Sequence, residues 1–173
     1  MALHPWFDRT FTFDLPLWMA PNILERLRGT APRAEDRLRG LDPAIGIHRT
    51  GNAWSVHQHI GHLGDLEPLW MARVEDLRSR RETLIAADLQ NRVTDDADHN
   101  ARSLSELLAR FRSLRTRLVA ELEATPESDW GVAAIHPRLQ KPMRLLDHAF
   151  FVAEHDDHHL AKVTELLKAG RSG

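Results

Sequence analysis

The chain has 173 residues, 42% hydrophobic and 28% charged, with a formal net charge of −2. That balance describes a soluble globular protein long enough for one core, with lysines and arginines mixed among acids rather than gathered into a nucleic-acid-binding stripe. With no cysteine, disulfides, thiolate ligands, iron–sulfur clusters and a cysteine nucleophile are excluded. No apolar run reaches the roughly 18 residues needed to span a membrane, and the N-terminus lacks a signal-peptide layout. A single domain over 1–173, with a core at about 17–169, is therefore expected in the cytoplasm without nucleic-acid or membrane partners.

The first helical segment, about 17–41, has leucines at helical spacing, but Gly29, Thr30 and Pro32 interrupt it. The spacing predicts a short helix ending near Gly29 and a second starting at Thr30 as N-cap, with Pro32 in its first turn. A second helix, about 54–80, opens at a Ser55 cap, carries an apolar stripe through Ile60, Leu63, Trp70, Val74 and Leu77, and should kink at Pro68. The stretch from 81 to about 102 has little pattern and reads first as a plain crossover, although Asp88, Asn91, Asp98 and His99 are placed to cover a pocket. Ser103 and Glu106 have capping-box spacing ahead of a third helix at about 104–124. Residues 126–141 look irregular, with no useful β alternation, and a fourth helix runs from Pro142 to a stop at Gly170. The fold class is all-α, most simply a four-helix bundle with a long crossover connection.

Seven of the eleven histidines fall in two clusters, His57, His59, His62 and His148, His155, His158, His159. On the fourth helix, Leu145, His148, Val152, His155, His159, Val163 and Leu166 share one stripe, while His158 lies with Glu154, Lys162 and Glu165 on a line that reads as solvated. Periodicity therefore selects His155 and His159, one turn apart on a buried face, a spacing at which two imidazoles can share a metal ion. Either His62 or His59 of the second helix can supply a further ligand, while Gly61 and Gly64 leave room for another helix to approach. Trp54, Trp70 and Trp130 read as core residues, and His148 as a core residue or a support behind a ligand.

Two stretches carry a family resemblance. "WSVHQHIGHLGDLEPLW" at 54–70 is similar to a Trp-Ser/Thr then His-Leu-x-Asp pattern, and "HDDHHLAKV" at 155–163 to a His-x-x-His-His segment. Their order and spacing resemble the DinB/YfiT-like superfamily of bacterial metalloenzymes. The resemblance implies a DinB/YfiT-like four-helix bundle, commonly a homodimer, with zinc or nickel held by His62, His155 and His159 and water in the rest of the shell. It is the resemblance that favours His62 over His59.

Three neutral imidazoles leave a divalent ion its full charge, which suits Lewis-acid chemistry and activation of water. Asp65, one turn after His62, is the first carboxylate to consider as base or as support behind a ligand, and Glu67 sits on the apolar stripe. The reading is a metal-dependent hydrolase acting on a small-molecule substrate. The alternatives are an S-transferase or isomerase using a low-molecular-weight thiol, and a non-catalytic metal-binding or interaction bundle.

Overall fold

The computed structural model describes residues 3–170. Four long helices form the body: α1 (Ala20–Arg37), α3 (Val56–Arg78), α5 (Leu104–Glu123) and α6 (Leu145–Gly170). Short helices α2 (Pro43–Ile47) and α4 (Arg92–Asp96) lie in the connections, and strands β1 (Ala133–His136) and β2 (Lys141–Arg144) precede α6. Both α1 and α3 pack against α5 and α6, so the crossover from α3 to α5 joins neighbours in the bundle.

The capping boxes are present as spaced. Ser55 Oγ accepts from Gln58 N at 3.1 Å, and Gln58 Oε1 accepts from Ser55 N. Ser103 and Glu106 make the same reciprocal pair at 3.2 Å. Each box satisfies two otherwise free N–H groups and sets where α3 and α5 begin.

Elsewhere long-range contacts override local signals. The expected break at Gly29 is absent, because α1 runs unbroken through Gly29, Thr30 and Pro32. Thr30 is not a cap: its buried hydroxyl lies 2.9 Å from Asp156 Oδ2 on α6 and 3.1 Å from the Arg26 carbonyl. Arg26 and Arg33 add ion pairs to Asp157, so α6 holds α1 straight where its own sequence would let it end. The start expected at Pro142 is also corrected. Pro142 belongs to β2, paired antiparallel with β1 in the register Ala133↔Arg144 to His136↔Lys141, a hairpin too short to show as alternation. Residues of the long connection join it, with Leu84 N donating to Ile135 O at 3.0 Å and Ile135 N to Glu82 O at 2.8 Å.

The apolar core is in two parts. One gathers around Leu27, Trp70, Val74, Leu118 and Val152, the other around Ala34, Ile60, Leu63, Phe111 and Val163. Between them lies a polar layer with one residue from each long helix: Thr30, Glu67, Arg115 and Asp156, none more than 2% exposed. Arg115 Nε donates to Glu67 Oε1 at 3.0 Å, and its Nη atoms donate to both Asp156 oxygens, Nη2 to Oδ1 at 3.0 Å. Glu67 Oε2 has no partner in its buried site. Burial pushes the Glu67 carboxyl up to about 7, with Arg115 opposing the rise.

Arg115→Ala would leave Glu67 and Asp156 buried without their shared donor, and is expected to cost about 3–5 kcal/mol in chemical denaturation. Arg115→Met with Glu67→Leu and Asp156→Leu should recover most of that loss. A second outcome concerns pH. A folded value of about 7 against an ordinary 4.5 means the folded state holds this proton more tightly. Wild-type stability relative to Glu67→Gln should therefore fall as pH rises between those values, by up to about 3 kcal/mol.

Candidate metal centre

His62 on α3 and His155 and His159 on α6 converge, each offering a ring nitrogen, with these nitrogens all within 4.8 Å of one another. The i, i+4 spacing puts His155 and His159 on one face of α6, and their Nε2 atoms lie 3.1 Å apart. All three rings are buried. Burial pushes His62 down to about 4, and pushes His155 and His159 well below the ordinary imidazole value, with neighbouring imidazoles lowering these two further. The rings are therefore neutral at pH 7, with one lone pair each.

Hydrogen bonds decide where some of those lone pairs point. Thr94 Oγ1, on α4, donates to Asp65 Oδ2 at 3.1 Å and so accepts from His62 Nδ1 at 2.9 Å. That places the His62 proton on Nδ1 and frees Nε2. Asp65 also accepts from His99 Nε2 at 2.7 Å and Arg110 Nη1 at 2.9 Å. Its carboxylate thus stands behind His62 rather than on the cavity wall. His59 Nδ1 lies 2.9 Å from His159 Nδ1, so a proton on the latter leaves His159 Nε2 free as well. His155 Nδ1 is buried without a hydrogen-bond partner.

The long connection is more than the plain crossover read from its sequence. It supplies Thr94 to His62 and His99 to Asp65, and residues 86–89 form part of a cavity wall. Gly61 makes the His99 contact possible: a Cβ there would lie 2.4 Å from the imidazole ring. Gly64 faces Arg110 and Phe111 of α5, so only this second glycine serves a helix approach.

His158 is not solvated, contrary to the periodicity. It is 7% exposed, its Nδ1 accepts from Arg9 Nη2 at 3.2 Å, and the Trp6 ring lies 5.8 Å from its own. The segment before α1 covers that side of α6, which no helical pattern in the sequence announces. His148 is a core residue, donating from Nε2 to the Trp70 carbonyl at 3.1 Å.

The cluster opens on a cavity of about 520 Å³ whose walls include Trp6, Trp54, Leu66, Trp70 and Phe151. Trp54 is therefore a cavity residue, with its ring 4.7 Å from that of His62, and Trp70 serves both core and cavity.

The DinB superfamily profile matches residues 26–163. The chain belongs to the DinB superfamily. A Bacillus pumilus (strain SAFR-032) protein named "Putative metal-dependent hydrolase" is 30% identical over 121 residues, covering 70% of this chain and 68% of its own. YfiT from Bacillus subtilis, described as having an unusual four-helix bundle topology, superimposes with a TM-score of 0.82 over 93% of each chain at 17% identity, a likeness of fold.

Within this DinB fold the sequence reading overlooked Arg73, His136 and Arg138, all on the cavity wall. Arg73 lies three residues after Trp70 on the same inward stripe, so the helical spacing that placed Trp70 would have flagged it.

Acid should unfold the metal-free protein readily. Burial holds His59, His136 and His148 at about 3 and His62 and His158 at about 4, against an ordinary 6.5. Unfolding then takes up protons, so the stability these neutral rings contribute is present above about 6.5 and lost as pH falls toward about 4. Denaturation midpoints measured from pH 8 to 4.5 should drop steeply below 6.5, and a flat profile would contradict the neutral cluster.

Proposed function

We propose that this chain is a metal-dependent hydrolase in which His62, His155 and His159 hold one divalent cation, zinc or nickel. The observation that carries the reading is the convergence of three buried, neutral imidazoles at the wall of a cavity. A divalent cation held there supplies Lewis acidity and brings the pKa of water toward neutrality.

The other roles belong to the chain's own residues. Thr94 and Asp65 orient the His62 ring, and His59 does the same for His159. With its oxygens taken by Thr94, His99 and Arg110, Asp65 acts in this reading as a positioning residue rather than as the base. The aromatic walls receive the apolar part of a small-molecule substrate and exclude water from it. Among the described residues the metal-ligating group stops at three, which favours an open, catalytic arrangement over a closed structural one. A homodimer in the cytoplasm completes the reading and is supported by the family resemblance and the composition.

A second reading, group transfer to an external low-molecular-weight thiol, is supported by Arg73 and Arg138 on the cavity wall, a basic flank that suits an acidic thiol cofactor. Activity that requires added thiol would favour it over hydrolysis.

Metal content of untagged protein tests the site. About one zinc or nickel per chain is expected in wild type, with most of it lost in His62→Ala, His155→Ala and His159→Ala. His158→Ala should retain it, since that ring is turned to Arg9. Equal loss at His158 and His159 would overturn the ligand set.

A further inference from the structure

Away from the three histidines, the same cavity has a second polar end. Arg73, from α3, is 1% exposed, and its Nε donates to the Ile85 carbonyl at 3.1 Å. The nearby acid, Asp76, is engaged by Ile85 N at 2.7 Å and by Arg81 at 3.2 Å. Arg138, in the β1–β2 turn, stacks over the Phe7 ring at 5.4 Å, and its Nη2 is buried without a hydrogen-bond partner. Among the described residues no carboxylate forms a salt bridge with either guanidinium. Burial lowers both pKa values, that of Arg73 to about 10.

His136 lies beside them with a conflict of donors. Its Nδ1 faces the backbone N–H groups of Arg138 and Leu139, each at 3.2 Å, while Arg73 Nη1 approaches its Nε2 at 3.1 Å. A neutral imidazole has one accepting nitrogen. If Nδ1 accepts, Nε2–H points at the Arg73 N–H; if Nε2 accepts, Nδ1–H points at two backbone N–H groups. Either tautomer sets donor against donor. An oxyanion accepting from Nε2–H and Nη1–H together removes the conflict and supplies the partner that Arg138 Nη2 lacks.

We propose that Arg73, His136 and Arg138 form a carboxylate subsite, so that the substrate carries an anionic end and an apolar body leading from it to the histidine cluster. A carboxylate fits because its two oxygens match the guanidinium fork. Trp70 and Phe151 lie between the two ends: the Trp70 ring is 5.6 Å from that of His155, and the Phe151 ring 5.4 Å from that of His136. Along α3, His62 and Arg73 are about 16 Å apart by helical rise, and the arginine side chain leans back toward the helix N-terminus, shortening the gap. The place of the body rests on the metal-centre reading; the anion subsite does not.

The test is titration of the purified protein with phenylacetate through 5-phenylpentanoate, each paired with its uncharged amide, followed by calorimetry and tryptophan fluorescence. At least one carboxylate should bind about tenfold or more tighter than its amide, the scale of a charge-assisted contact. Arg138→Gln, in a half-buried turn, should abolish that preference with metal content unchanged, and Arg73→Gln should do the same if its melting temperature shows it folded. No preference anywhere in the series, or one that survives Arg138→Gln, overturns the proposal; survival would put the carboxylate at the histidines. Protein without metal but with an Arg138-dependent preference would sink the metal reading and leave the subsite standing.

Discussion

Arg115 reaches from α5 into the middle of the bundle, donating to Glu67 on α3 and Asp156 on α6, while Thr30 on α1 adds its hydroxyl to the same Asp156. Among the described residues this layer joins all four long helices through directional bonds. Apolar packing tolerates small rotations of a helix about its axis; a buried guanidinium between two carboxylates does not, because misalignment strands charge in a low-dielectric site. The layer therefore fixes the rotation of α6. With Asp156 held inward, His155 lies one residue back and His159 three residues on, and at about 100° per residue both are turned together toward the neighbouring histidines of α3.

That rotation explains why so many imidazoles remain uncharged. A protonated ring at any of these positions would lose hydration and face other rings at close range, so burial and mutual repulsion act in the same direction. The neutral state in turn makes hydrogen-bond direction decisive. Thr94 and Asp65 behind His62, and His59 behind His159, orient rings whose free nitrogens face one another. The partners come from outside α6, from α3 and the connection that follows it, so the cluster is a tertiary assembly although two of its members are one turn apart.

The cavity draws on still more distant parts of the chain. Trp6 from before α1, Trp54 from just before α3, residues 86–89 of the connection and His136 of the hairpin all meet there. Segments outside the four long helices thus supply much of its lining, from residues 3–7, 86–91 and 136–138. Such segments bury their own apolar side chains against the helices and enclose space that four helices alone would leave open to solvent.

Much of this was legible from local pattern. Capping serines, apolar stripes and the His155–His159 spacing depend on residues three or four positions apart, and those interactions are complete within a helix turn. The resemblance chose His62 over His59, and His62 lies beside the pair. Other features were decided by partners far along the chain. Thr30 reads as a cap until Asp156, on another helix, occupies its hydroxyl. His158 reads as solvated until Arg9 and Trp6 cover it. Pro142 reads as a helix start until β1 draws it into a strand. Which faces of the helices are apolar follows from periodicity along the chain; what lies against each face depends on side chains that come together only when the whole chain has folded.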